Sequence, residues 1–183
     1  MINGDKLRDA MISATNNLSN NRKQTDDLNV FPVPDGDTGT NMSMTLSNSA
    51  RELEKLSGET AGKVASVNAS ALLRGARGNS GVITSLLFRG FAKGIGDDEF
   101  VTPENLAKAF ELGVEAAYKA VMKPTEGTIL TVARVAGEMA RKACDEGKTA
   151  LEVFESAIEG AETALAETPE LLLKLKKAGG VDA

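Results

Sequence analysis

Two carboxylates separated by one glycine, Asp35 and Asp37, are the residues of this 183-residue chain best suited to do chemistry. They lie in the string Pro34-Asp35-Gly36-Asp37-Thr38-Gly39-Thr40-Asn41. The proline stiffens the approach and Gly36 allows a tight turn, so both carboxylates can face one point. Oxygen ligands without histidine or cysteine suit a hard cation, Mg²⁺ or Mn²⁺ before zinc. The same residues would also serve as a turn or cap that starts the next helix, and the motif alone admits both readings. An EF-hand is excluded: counting from Asp35, Thr40 stands where glycine is needed and Leu46 where glutamate is needed.

A second string, Gly75-Ala76-Arg77-Gly78-Asn79-Ser80-Gly81, precedes an apolar periodic segment. Backbone N–H groups at a helix start, with a serine hydroxyl and glycines that admit close approach, suit a phosphate. Thr38, Thr40 and Asn41 offer the same kind of site after the aspartates. Each loop by itself also fits a glycine turn followed by an ordinary cap. Arg74 and Arg77 flank the second string and could neutralise phosphate charge or simply favour a helix end. No Walker sequence is present: Gly58 to Lys63 lacks the spacing and the hydroxyl residue after the lysine. No dinucleotide fingerprint occurs either.

The elements that must hold these loops read as helices. Stripes at the 3.6-residue period run through Leu7, Met11 and Leu18, then Met42, Leu46 and Leu53, then Val64, Val67 and Leu72, then Val82, Leu86 and Phe91. Thr102-Pro103 opens a fifth helix, Thr128 a sixth, and Thr149 with Glu152 a seventh through a capping box. Thr168-Pro169 is expected to begin a short eighth segment to Lys177. Only 4% of residues are aromatic and no strand pattern competes, so the chain is expected to be all-α, an up-and-down bundle or barrel of about eight helices. Residues from about Asn20 to Gly39 carry no stripe, and a connection this long in a helical domain is usually functional. Alternating helix directions would bring this loop, Gly75 to Gly81 and Lys123 to Thr128 to one end. The exposed acids Asp97, Asp98 and Glu99 read as solvated loop, not a metal site.

Composition removes several classes. The chain has no histidine, so a histidine base, a Ser-His-Asp triad and a His-ligated zinc are out. One cysteine allows no internal disulfide. A net charge of −5 argues against a nucleic-acid binder. No apolar run approaches a membrane span and the N-terminus lacks a signal-peptide core, so a cytoplasmic domain is expected.

Four stretches carry a family resemblance: Leu28 to Met42, Gly75 to Ile83, Leu87 to Phe91 and Lys123 to Leu130. The chain resembles the nucleotide-binding domain shared with the L subunit of dihydroxyacetone kinase, and more closely the N-terminal ATP-binding domain of bacterial fatty acid kinases. The resemblance implies an eight-helix antiparallel barrel that binds ATP or ADP at one end through two Mg²⁺ ions. It assigns Asp35 and Asp37 as metal ligands and catalytic residues, and Asn29, the residue nearest to a further acid of the dihydroxyacetone branch, as a third metal ligand through its neutral amide oxygen. Thr38 stands where that branch has histidine. Gly78, Asn79, Ser80 and Gly81 match the phosphate-contacting loop, and Thr128 the loop that closes over nucleotide. Val181-Asp182-Ala183 matches the start of an Asp-small-Gly motif whose Asp182 touches nucleotide, so residues 1–183 read as one kinase domain cut within its last loop. The implied function is phosphorylation of a fatty acid held by a separate fatty-acid-binding carrier protein, docked through C-terminal domains beyond this chain. A homodimer is an option for the full-length protein. The alternatives are a dihydroxyacetone-type kinase subunit and a non-catalytic MgATP-binding scaffold.

Overall fold

The computed structural model describes residues 1–29 and 34–171. Among these are eight helices: α1 (Gly4–Asn20), α2 (Arg22–Asp27), α3 (Thr38–Leu53), α4 (Ala61–Gly75), α5 (Gly78–Ile95), α6 (Pro103–Ala120), α7 (Ile129–Asp145) and α8 (Ala150–Leu171). The all-α expectation holds. Two two-residue strands, β1 (Ile2–Asn3) and β2 (Phe100–Val101), pair antiparallel with Ile2 opposite Val101.

Local sequence explains most helix starts. Asn3 accepts the Lys6 N–H at 2.9 Å, and Thr60 accepts that of Lys63 at 3.1 Å. Thr102 and Asn105 form a reciprocal capping box, with Pro103 at the first helical position where its missing N–H costs nothing. Thr149 and Glu152 form another: Thr149 N–H and Oγ1 donate to Glu152 Oε2 at 2.8 and 2.7 Å.

From α3 onward each helix packs on its successor, and α1 lies against α3 and α4. The core is rich in alanine, with Leu53, Leu72, Ile95, Val64, Val101 and Val153 as its largest fully buried side chains. Small residues bring α5 and α6 backbone to backbone. A Cβ on Gly90 would collide with the Leu112 carbonyl, and one on Gly94 with the Ala109 backbone. These pairs, with Gly113 against Leu87, make α5 and α6 antiparallel. A chain of ring contacts then runs from Phe88 through Phe91 and Phe110 to Phe154, with centroids 6.0 to 6.4 Å apart.

Three expectations need correction. The stretch from Asn20 to Gly39 is not wholly loop, because α2 lies inside it. Strand pairing exists, though two residues are too few to leave an alternating pattern. Thr168-Pro169 does not start a separate segment, since both lie within α8. Proline cannot donate to the carbonyl four residues back, but here Thr168 Oγ1 donates to that same Leu165 oxygen at 2.8 Å, so the helix continues. Asp97, Asp98 and Glu99 are exposed loop as expected, and the loop also has structural bonds: the Asp98 and Glu99 carbonyls accept the Gly62 and Ala61 N–H groups, and the Asp98 carboxylate accepts the Asn105 amide at 2.9 Å. Residues 172–177 of the expected eighth segment lie outside the described residues.

Candidate functional site

The end of the bundle at which α3, α5 and α7 begin, called the upper end below, carries the sequence-marked loops. Gly36 adopts φ +63°, the left-handed turn expected between two aspartates. Asp35 is exposed and Asp37 half-buried as the N-cap residue of α3, without a side-chain cap bond to that helix. Among the described residues neither carboxylate is paired with a donor or cation. Asn29 Oδ1, the third ligand by resemblance, accepts the Asp37 N–H at 3.1 Å and so ties down the aspartate loop.

Asp26 was not marked by the sequence, yet it organises this turn. It projects from α2, and its Oδ1 and Oδ2 accept the Thr40 N–H and hydroxyl, each at 2.8 Å. Burial works against the charged form, but the bonds from Thr40 and Gly39 outweigh it and hold the Asp26 carboxyl below its ordinary range. α3 therefore receives its cap from another helix. Gly39 makes this possible, since any Cβ there would strike the Arg22 carbonyl of α2. No local signal reveals a cap that arrives from fourteen residues away; only the acid itself was visible.

The second loop meets the first directly. Gly78, at φ +58°, leaves no room for a Cβ beside the Asn41 amide, and Gly81 none beside Thr45 Oγ1. The Arg77 N–H donates to Thr45 Oγ1 at 3.1 Å. Arg77 is the N-cap residue of α5 but gives no side-chain cap, so the first turn of that helix, Gly78-Asn79-Ser80, has N–H groups without one. Gly78 and Asn79 are exposed and Ser80 half-exposed.

The antiparallel register of α5 and α6 puts the loop from Val121 to Thr128 at this same end. Its anchor is Glu126, whose carboxylate accepts from Thr131 Oγ1 at 2.8 Å, Arg134 Nη2 at 3.0 Å and Tyr118 Oη at 3.1 Å. Those bonds, Thr131 first and Arg134 next, lower its pKa. Thr128 is turned inward on its own segment, capping α7 through Leu130 N–H at 3.3 Å and donating to the Thr125 carbonyl at 2.8 Å. No described contact joins Thr128 to the aspartate or glycine loops. Asp182 lies outside the described residues. Two surface grooves run along the flanks, between α6 and α7 and between α5 and α6, and neither is lined by Asp35 or Asp37.

The donor set fits a hard cation only in part. No group of three or more His, Cys, Asp or Glu side chains converges among the described residues. Two unpaired aspartates on a glycine turn can hold Mg²⁺ when phosphate and water complete the shell, which is how that ion is usually bound.

In class, this is an all-α domain that presents acidic and glycine-rich loops at one end of a helix bundle. A family model described as the DAK2 domain matches residues 32–183, and the chain belongs to that kinase-related family of dihydroxyacetone kinase-type nucleotide-binding domains. It is 48% identical over 182 residues to an uncharacterized protein of Staphylococcus haemolyticus, covering 100% of this chain and 33% of the relative. Uncharacterized proteins of Staphylococcus epidermidis and Staphylococcus aureus match at 47% over the same length and the same shares. The chain thus spans about a third of the curated relatives it matches. Among the described residues no helix is long and apolar enough to cross a membrane.

Proposed function

We propose that this domain binds ATP with Mg²⁺ at the upper end and supplies the phosphoryl group for a fatty acid held by a separate carrier protein. One observation carries the reading: two unpaired aspartates immediately precede α3, whose Asn41 and Thr45 pack against a helix N-terminus that has no side-chain cap. Asp35 and Asp37 would hold the metal, and the N–H groups of Gly78, Asn79 and Ser80 would receive phosphate oxygens. Asn41 lies against Gly78 and Thr38 opens α3, so both would be in reach of the nucleotide, while the Thr40 hydroxyl is committed to Asp26. Bound Mg²⁺ would neutralise phosphate charge and align the transfer, the greater part of what phosphoryl transfer requires. A fatty acid is already ionised at neutral pH and needs no base, which agrees with a chain that has no histidine.

A calorimetric titration with ATP, with and without Mg²⁺, tests the nucleotide reading. Binding that Mg²⁺ strengthens supports it, and equal or absent binding in both arms rejects it. Incubation of the full-length protein with MgATP and a lipid-loaded carrier, read as acyl phosphate, tests the acceptor. Phosphorylation of dihydroxyacetone in its place would reassign the substrate.

A further inference from the structure

We infer that Thr45 is a positioning residue that sets the spacing between the aspartate loop and the glycine loop; the inference rests on the nucleotide site proposed above. Thr45 lies two turns into α3 and is fully buried, 0% exposed. A threonine in mid-helix ordinarily turns its hydroxyl back to the carbonyl of the preceding turn, and this one does, donating to the Asn41 oxygen at 2.7 Å. Its second bond is the unusual one. Oγ1 also accepts the N–H of Arg77, the residue immediately before the exposed first turn of α5, at 3.1 Å.

A single hydroxyl therefore joins the helix that begins at the aspartates to the start of the helix that presents the N–H groups. The packing around it allows little play. Gly81 lies against Thr45 Oγ1 and Gly78 against the Asn41 amide, so both glycines serve the approach of α5 to α3. On the aspartate side, Asn29 and Asp26 fix the loop to α2 and α3. On the glycine side, Thr45 supplies the side-chain bond that fixes Arg77. Removing the hydroxyl would leave each loop formed but free to shift against the other. A metal bridging aspartate and phosphate would feel that shift, because positioned groups lose effect steeply with displacement.

The test compares Thr45→Val, which keeps the shape and deletes the hydroxyl, with Thr45→Ser, which keeps the hydroxyl. ATP affinity is measured by calorimetry with and without Mg²⁺, and thermal unfolding by circular dichroism. The gain in ATP affinity on adding Mg²⁺ reports whether the two loops are in register; the melting temperature reports the fold. Thr45→Val is expected to cut that gain about tenfold, the effect of a small displacement of the metal- and phosphate-holding groups, and Thr45→Ser to restore it. An unchanged gain in Thr45→Val, or a gain lost equally in Thr45→Ser, would overturn the inference even if both variants melt lower. If Thr45→Val does not fold, Gly81→Ala pushes the same contact apart from the other helix and is expected to cut the gain likewise; an unchanged gain there would overturn the inference. A parent protein that shows no gain at all would instead defeat the nucleotide reading itself.

Discussion

The two ends of the bundle are built from the same kinds of residue and behave differently. At the lower end every described helix start has a side-chain cap of its own, Asn3 for α1, Thr60 for α4, Thr102 for α6 and Thr149 for α8, and α4 adds the Asp98 and Glu99 carbonyls. Backbone meets backbone there too. A Cβ on Gly4 would strike the Glu59 carbonyl and one on Gly62 the Gly96 carbonyl. At the upper end only α7 has a cap of its own, from Thr128; α3 borrows one from Asp26 and α5 has none from a side chain. Glycines permit close packing at both ends; the ends differ in that the first turn of α5, at the upper end, has no side-chain cap. The lesson is that glycine and hydroxyl residues near a helix start mark a binding site only where their hydrogen-bonding groups are left unused.

The sharpest way to break this contrast is to remove an upper carboxylate. Asp35→Ala or Asp37→Ala is expected to abolish Mg²⁺-dependent ATP binding by calorimetry, with helix content by circular dichroism nearly unchanged. A collapse of helix content would show that the aspartates serve the fold, as the lower caps do. Gly62→Ala is the converse experiment. Forcing a Cβ against the Gly96 carbonyl should destabilise by about 1–3 kcal/mol in urea unfolding, while the Mg²⁺-dependent gain in ATP affinity stays at the parent value.

Smaller effects sharpen the same division. Thr102→Ala loses a cap and should cost about 1 kcal/mol. Asn79→Ala, at a helix start with no side-chain cap, should stay within about 0.5 kcal/mol yet alter nucleotide affinity. Equal losses of stability in the two variants would erase the distinction. The weakest effect is that of acid. The Glu126 carboxyl titrates below its ordinary value of 4.5 because Thr131, Arg134 and Tyr118 donate to it. A depressed pKa contributes stability above the unfolded value, and that contribution fades as pH falls through the folded one. Glu126→Gln should therefore flatten the stability profile below about pH 4.5, and an identical acid limb would count against the anchor.

Much of this architecture is legible in the residues because it is local. Periodic apolar stripes and caps three residues from their partners locate the long helices, and Thr102-Pro103 and Thr149 with Glu152 mark two of their starts. α2 is not legible: Arg22 to Asp27 contains no apolar residue and buries none, so it shows no stripe. It holds its place by packing on Gly39 and capping α3. Pro169 misleads for a similar reason, since the compensating Thr168 hydroxyl is visible only once the helix exists. In the candidate site, Asp35, Asp37, Asn79 and Ser80 stand out by type and spacing. Asp26 and Thr45 do not, because their bonds to Thr40 and Arg77 cross from one element to another.

The pairing of β1 with β2 has a consequence for how the chain assembles. Helices α3 to α8 each meet the next helix along the chain, so their contacts close short loops, the topology that folds in roughly microseconds to milliseconds. Ile2 and Val101 are joined across nearly a hundred residues, and such a closure is favourable only after the intervening helices have shortened the path. The helical hairpins should therefore gain amide protection first, with the α5 and α6 amides protected before those of Ile2 and Val101 in a pulsed hydrogen-exchange refolding experiment. Simultaneous protection would mean that the N-terminal clasp belongs to the folding nucleus, and that the chain begins to fold from partners nearly a hundred residues apart.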